Sequence, residues 1–221
     1  MFAQVKLLLW KEITLEWRNR YALNGILLYV VGAVYLCYMS FSVKRGVLHP
    51  ITWNALFWII QLFTSIHAIT KSFGAEAQGR NLYYYIIVSP SAIIVSKTIY
   101  NACLLMFLSL ISFLSYSLVM GNPIEDLVLY TACLLISALA FSGTLTLVSA
   151  IASKAGSGNT LMAILSFPVI LPLLLLIIKI SKNAMDGLET SSSYKDLSIL
   201  AAISLIIFST SFVLYPYLHK N

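Results

Sequence analysis

Long apolar stretches alternate with short polar segments over most of the chain. Six of these stretches approach or exceed the roughly 20 apolar residues that a helix needs to cross a bilayer. They cover residues 22–43, 51–73, 98–120, 127–153, 160–180 and 198–218. In lipid a backbone must satisfy its own hydrogen bonds, and runs of this length do so as helices. The pattern therefore predicts an all-α membrane protein with six transmembrane helices in a single domain, residues 1–221.

The first 20 residues have a different, amphipathic pattern. An apolar stripe covers an arc of about 100° at helical spacing, and it consists of Phe2, Leu9, Trp10, Ile13 and Trp17. Charged residues accompany the stripe, namely Lys11, Glu12, Glu16 and Arg18. Tryptophans beside basic residues suit a helix that lies in the headgroup layer. A charged lead-in that orients the first span is the alternative, since it follows from the same interfacial physics.

The composition excludes a soluble or a disordered protein. The 221 residues are 60% hydrophobic and only 10% charged, with a mean hydropathy of +0.89. Soluble domains carry about 25% charged residues, and disordered chains combine low hydrophobicity with high charge. Cys37, Cys103 and Cys133 lie in apolar runs, so we expect small buried apolar side chains there.

Basic residues predict the orientation of the chain. With the N-terminus in the cytoplasm, nine Lys and Arg residues fall in inside segments and five in outside segments. Because cytoplasmic segments carry the excess of Lys and Arg, we predict a multi-pass plasma-membrane protein with both termini cytoplasmic. The net charge of +6 then reflects orientation in the bilayer and not nucleic-acid binding.

Catalytic and metal-binding motifs are missing from the sequence. Glu125 and Asp126 belong to a turn, and the glycine-rich segment 155–160 lacks the frame of a Walker A loop. The three histidines, His49, His67 and His219, have no second ligand at helical spacing. We therefore expect no enzyme activity, no metal and no bound cofactor in this chain, so any ATP hydrolysis must occur on a partner.

Polar residues inside two spans form stripes. In the second span the stripe comprises Asn54, Gln61, Ser65 and Ser72, and in the fourth it comprises Thr131, Ser142, Ser149 and Ser153. Polar groups in hydrocarbon must face protein or water. Interhelical hydrogen bonding is favoured over a substrate path, because neither stripe contains a charge.

Two prolines in the fifth predicted span, Pro168 and Pro172, each remove a backbone donor. Such residues are expected to kink the helix. The sequence leaves open whether the kink is fixed or acts as a hinge.

The connection at residues 74–97 is apolar and aromatic in its middle, at residues 82–88. Tyr83, Tyr84 and Tyr85 either lie in the headgroup layer as an aromatic belt or form a short docking helix for a cytoplasmic partner.

Over nearly its whole length the chain resembles the CcmB family, the haem exporter protein B of cytochrome c maturation. The resemblance rests on the K-E-x-x-L-E-W-R run from Lys11 to Arg18 and on Lys71, Ser72 and Phe73 closing the second span. It continues through Glu76 and Gly79, the 82–90 stretch, Ser96 and Lys97, and the two prolines, Pro168 and Pro172. The chain departs from the family pattern at Tyr83, where the family commonly has a glutamate, and Gly79 lies one residue further from Leu82.

The resemblance implies an ABC-2-type permease architecture, with a second copy of the permease, two cytoplasmic ABC ATPase subunits and other cytochrome c maturation membrane proteins as partners. ATP hydrolysis by the partner would drive haem delivery to a haem chaperone. Candidate docking residues for the ATPase are Glu76, Gly79, Arg80, Leu82, Tyr83, Tyr84 and Tyr85. Since the outer loops offer only His49 as an axial haem ligand, we expect the chain to convey conformational work without holding haem. An ABC permease for a lipid or drug and a non-transporting scaffold are the alternatives.

Overall fold

Seven helices make up the part of the chain that the computed structural model describes, residues 2–18, 21–42, 48–74, 88–154, 158–187 and 190–218. They are α1 (Phe2–Arg18), α2 (Tyr21–Ser42), α3 (Pro50–Gly74), α4 (Pro90–Met120), α5 (Leu127–Lys154), α6 (Gly158–Met185) and α7 (Thr190–Leu218). Within these ranges no residue is in a strand. The expectation of an all-α membrane fold is confirmed.

Two of the predicted connections are partly helical, and the predicted boundaries were wrong there. α4 begins at Pro90, eight residues before the predicted start, because proline fits the first turn of a helix and Ser89 precedes it in an extended conformation. α7 begins at Thr190 and not near residue 198. Hydropathy locates the part of a helix that suits lipid, so polar helical turns beyond it escape a hydropathy-based prediction.

The helices α2 to α7 run alternately up and down. The Trp53 indole of α3 donates to the carbonyl of Gly121, after the end of α4, at 3.0 Å. The Asp126 amide donates to the Ala184 carbonyl, near the end of α6, at 2.9 Å. At the other end the Thr70 hydroxyl of α3 contacts Met162 near the start of α6. We call the side that holds residues 121–126 the loop end and the opposite side the α1 end.

Five helices in the described ranges are long and apolar enough to cross a membrane, namely α2, α4, α5, α6 and α7. α3 falls outside this group because Asn54, Gln61, Thr64 and Ser65 lower its hydropathy. Its 25 residues, about 37 Å at helical rise, nevertheless run from the loop end to the α1 end beside the other spans. The count of six spans stays a prediction.

The core lies around α3 and α5. In the most apolar stretch of α5, 72% is buried inside the bundle. The corresponding share is 17% in α2 and 22% in α7, which lie at the periphery. At Gly143 of α5 an added Cβ would lie 3.2 Å from Cγ2 of Ile207, so the glycine permits α7 to pack closely.

Candidate functional site

The predicted docking segment itself lies outside the described residues. This applies to all its candidate residues, Glu76, Gly79, Arg80, Leu82, Tyr83, Tyr84 and Tyr85, and so the choice between an aromatic belt and a docking helix stays open. The helices that flank the segment end and begin at the α1 end, at Gly74 and Pro90. The last turn of α7 also lies there, because Tyr215 packs with Leu8 and Ala92.

α1 packs on the first turns of α4, and the two helices run in the same direction. The Ser89 hydroxyl donates to Oε1 of Gln4 at 3.2 Å, and Leu8 is buried against Ile93. Further along, Tyr100 of α4 lies near Glu16 and Glu12 of α1. α1 thus follows α4 for about three turns.

α1 directs its polar side towards the bundle and its aromatic side outward, the reverse of a helix on the surface of a soluble protein. Its aromatic side is exposed, with Trp10 at 71% and Trp17 at 72%. Glu12 lies on the covered side, where its side chain is 12% exposed and pairs with Lys11 at 3.0 Å. Aromatic rings facing outward beside an exposed Arg18 match a headgroup environment better than water. This arrangement supports the interfacial interpretation of α1, which stays a prediction.

Lys97 of α4 is a charged residue at the α1 end that the sequence did not single out as part of a site. It is 2% exposed and lies one turn before Tyr100. Lysine is rarely buried, so a buried lysine one turn from the residue that contacts α1 is an unusual feature of this end of the bundle.

A hydrogen-bond network near the loop end joins α3 to α5 and α6 through Asn54, and to α4 through the backbone of Trp53. The Asn54 amide nitrogen donates to Oγ of Ser181 on α6 at 2.9 Å. The Tyr130 hydroxyl of α5 donates to Oδ1 of Asn54 at 3.2 Å. Trp58 also donates to Ser181, and the Tyr116 hydroxyl of α4 donates to the Trp53 carbonyl. All the members named are buried.

Six aromatic rings pack around this network and fill the interior there. The members are Trp53, Phe57, Trp58, Phe113, Tyr116 and Tyr130. Trp53 and Tyr116 lie closest, with ring centroids 4.7 Å apart. These rings pack against one another in the loop-end half of the bundle, between α3, α4 and α5.

The polar stripes mostly face the bundle interior. Asn54, Gln61 and Ser65 of α3 are buried, as are Ser142 and Ser149 of α5. The Gln61 amide donates to Ser109 of α4, and the Ser142 hydroxyl donates to the Thr98 carbonyl at 3.1 Å. These contacts are the interhelical hydrogen bonds favoured from the sequence.

Thr131 departs from the expected stripe. It is only half-buried, and its hydroxyl donates to the Leu127 carbonyl of its own helix at 2.8 Å. Thr131 lies in the second turn of α5 at the loop end, where a side chain that bonds its own backbone needs no partner helix. The side chains of Ser72 and Ser153 lie outside the described part of the structure.

α6 continues as a helix through Pro168 and Pro172. Both prolines are exposed, and Ile170 and Leu173 between and beside them are buried. The backbone carbonyls that the prolines leave without a donor therefore lie towards the outer face of α6. The predicted kink, fixed or hinged, stays a prediction.

Polar contacts stabilise the connections at the loop end. The Asp126 carboxylate accepts from the Leu129 amide at 2.9 Å and so caps α5. Lys179 of α6 pairs with Asp196 of α7 at 2.7 Å. Gly187 has a φ of 60°, a left-handed backbone conformation that favours glycine, and it lies against the Glu125 carboxylate. Glu125 and Asp126 thus belong to a structured turn.

A cavity of about 360 Å³ lies between α4 and α7 towards the α1 end. Its lining is mainly apolar, and its three hydroxyl residues, Thr98, Ser209 and Ser211, each bond a carbonyl of their own helix. This groove offers apolar contacts and no spare hydroxyl donor, which suits the hydrocarbon of the bilayer.

Histidine and cysteine positions give no metal site among the described residues, where no group of three His, Cys, Asp or Glu side chains comes together. His49 is exposed at the loop end, and the His67 ring packs against Tyr29 at 5.3 Å. Cys133 is buried and Cys37 half-buried, but Cys103 is exposed. The expectation that all three cysteines are buried was wrong for Cys103, which lies on the outer face of α4.

Sequence reasoning missed the partners of the polar stripes. Ser109, Ser181 and Asn101 each bond a side chain of another helix. Asn101 and Ser109 lie with Thr98 and Ser112 within an arc of about 80° on α4, and all four are buried, so a third polar stripe was the signal that could have found them. Ser181 lies among polar residues just beyond the fifth predicted span and gives no such signal.

The chain matches the CcmB protein family over residues 3–217. No curated protein matches it. The family match spans all seven helices, from the interfacial candidate α1 to the last turn of α7. The chain therefore belongs to the CcmB family, the haem exporter protein B permeases of cytochrome c maturation.

Proposed function

We propose that the chain is the transmembrane permease subunit of an ABC-type complex, in which ATP hydrolysis by a partner subunit is coupled to haem delivery to, or release of, the haem chaperone of cytochrome c maturation. The observation that carries the proposal is the family match over residues 3–217. The bundle of apolar helices agrees with it, because five described helices are suited to cross a membrane.

The contact with the ATPase belongs at the α1 end in this proposal. The two flanks of the docking segment, Gly74 and Pro90, end there, as does the last turn of α7. We assign this end to the cytoplasm, with both termini on that side, because nine of the Lys and Arg residues fall in the corresponding segments. A second copy of the permease and other maturation proteins complete the complex.

Movement of the docking segment would reach the bundle through α3 and α4, the helices that flank it. α4 also carries α1, through Leu8 and the contact of Tyr100 with Glu16. α4 is 31 residues long, about 46 Å, and it reaches the loop end, where Tyr116 bonds the backbone of Trp53. A displacement at the α1 end can thus be transmitted to the outer surface along one continuous helix.

Haem is a substrate of the complex in this proposal and not a resident group of this chain. His49 is the one histidine in the described residues at the loop end, and its Nδ1 lies 3.4 Å from the Ile51 amide. The chain itself hydrolyses no ATP here and transmits work from its partner.

Co-purification tests the proposal. Full-length tagged chain, extracted from its native membrane, is expected to bring down an ATP-binding subunit and ATPase activity. Replacing Tyr83, Tyr84 and Tyr85 together by alanine should lower that recovery at least several-fold. The matched control is Tyr194→Ala, since Tyr194 is an exposed aromatic side chain near the loop end, and it should leave recovery unchanged.

Two results would contradict this account. Absence of any ATP-binding partner would remove the transporter role, and full recovery with the triple variant would place the tyrosines in the aromatic belt. Haem bound in equimolar amount to the isolated subunit, and lost in His49→Ala, would show that the chain does hold haem.

A further inference from the structure

The outer surface of the bundle carries a histidine at the depth of the membrane. The His67 side chain of α3 is exposed, and its ring packs against Tyr29 of α2 with the two centroids 5.3 Å apart. Tyr29 lies about 9 Å inside the end of the apolar span Leu23–Phe41, and so the histidine lies inside it too. Ionisable side chains in transmembrane segments almost always face protein or a water-filled cavity. An outward-facing His67 therefore indicates that another chain covers this part of the surface.

The surface around this pair is continuous over two helices. On α3, exposed side chains precede His67 at helical spacing. α2 is the least buried of the five described helices that are suited to cross a membrane. Tyr29 packs on His67 and so joins the outer sides of the two helices. We call this surface the α2–α3 face, and it consists of Leu28, Tyr29, Gly32, Leu36, Ile59, Phe63 and His67.

Gly32 in the middle of α2 favours a helix of another chain against this face. A Cβ added at Gly32 would meet no described atom within 4 Å, whereas a Cβ added at Gly143 would lie 3.2 Å from Ile207. Gly143 thus permits close packing within the chain, and Gly32 has no such use in a single copy. Glycine destabilises a helix relative to alanine, and in membranes it lets the backbones of two helices approach closely.

We propose that the α2–α3 face binds a second copy of this chain. The proposal rests on the proposed function, in which the permease acts as a pair. Both copies have the same orientation in the bilayer, so a two-fold axis along the membrane normal brings the same face of each copy together. Such a face must complement itself. Gly32 allows the two α2 helices to approach, and Tyr29 and His67 supply a hydroxyl donor and a ring-nitrogen acceptor for bonds between the copies.

Cysteine cross-linking of the full chain in its native membrane tests the proposal. Two differently tagged copies are expressed together in a background without native cysteines. Leu36→Cys adds a thiol one turn after Gly32, and a short bifunctional maleimide should link the two tagged copies. The matched control is Leu205→Cys on α7, which should give no such dimer. Leu36 is 67% exposed and Leu205 is 68% exposed, and they lie at nearly the same distance from the α1 end along their helices.

Gly32→Leu makes the assignment specific. A side chain at this position has room in a single copy, so the variant should fold and insert normally. Between two copies the leucine would separate the α2 helices, and it should lower the dimer yield of Leu36→Cys at least several-fold. Leu28→Cys, one turn before Gly32, provides a second position at which the same dimer and the same loss are expected.

Dimer yields of Leu36→Cys and Leu28→Cys no higher than that of Leu205→Cys would overturn the proposal. Links from these positions only to a different protein would also overturn it, because the face would then belong to another partner. Recovery of the ATP-binding subunit from the same membranes separates the two levels of the account. Its presence without a dimer refutes the α2–α3 face alone, whereas its absence refutes the proposed function.

Discussion

Single buried polar residues determine how the apolar helices of this bundle fit together. Lipid is as apolar as leucine, so interhelical hydrogen bonds and close packing of small residues replace the hydrophobic effect as sources of specificity. Asn54 provides the clearest example, because it joins α3 to both α5 and α6. The sequence placed Asn54, Gln61 and Ser65 on one face correctly, but the partners depend on the vertical register of neighbouring helices, which periodicity does not specify.

Asn54→Leu should destabilise the chain by about 1–2 kcal/mol, because it leaves the buried Tyr130 hydroxyl without its acceptor and removes the bond from α3 to Ser181 that Asn54 makes. The matched control is Thr131→Val, whose lost hydroxyl bonds only its own helix, and its effect should stay within about 0.5 kcal/mol. Thermal or denaturant unfolding in one detergent compares the two variants. Equal stability of the two variants would show that the Asn54 network contributes nothing.

The presence of each transmembrane helix was easier to predict than the residues at which it begins and ends. Every predicted span corresponds to a helix, since a continuous apolar run is a strong signal. The start of α7 was missed because residues 190–197 are helical yet largely polar, and the start of α4 because Ser96 and Lys97 interrupt an apolar run that the helix continues through. α3 shows the converse effect, because a helix surrounded by protein tolerates polar residues that lower its hydropathy.

The interfacial position of α1 stays a prediction, and the way in which its two sides are covered supports it. Its aromatic side is exposed and its acidic side is covered by α4, an orientation that is unfavourable in water and favourable in the headgroup layer. The sequence could not reveal that α4 covers the acidic side, because the contact depends on α4 extending back to Pro90.

Tryptophan quenching should locate α1 in the membrane. The chain has four tryptophans, of which Trp53 and Trp58 are buried and Trp10 and Trp17 are exposed. In liposomes, nitroxide lipids labelled near the headgroup should quench part of the emission, and labels at the acyl-chain ends should quench less. Trp10→Phe combined with Trp17→Phe should abolish that quenched component. Strong quenching by aqueous iodide with none by lipid labels would exclude the interfacial position.

At the scale of the whole molecule, the helices bring together the parts that the proposed function needs on one side. α1, both flanks of the docking segment and the last turn of α7 share the α1 end, although they are far apart in sequence. Because α1 and Gly74 lie at the same end, the chain between them must cross the membrane an even number of times. This favours counting α3 as a span together with α2. Family membership then indicates what kind of partner the chain has, an ATPase subunit, which the apolar bundle does not reveal by itself.

The most direct test of the account is the sidedness of its two ends. In a background where Cys37, Cys103 and Cys133 are replaced by alanine, Asn122→Cys adds a thiol at the exposed loop end and Lys6→Cys adds one at the exposed α1 end. A membrane-impermeant maleimide should label Asn122→Cys in right-side-out vesicles and Lys6→Cys only in inside-out vesicles. Labelling of both positions from one side, or the reverse pattern, would contradict an α1 end that faces the ATPase.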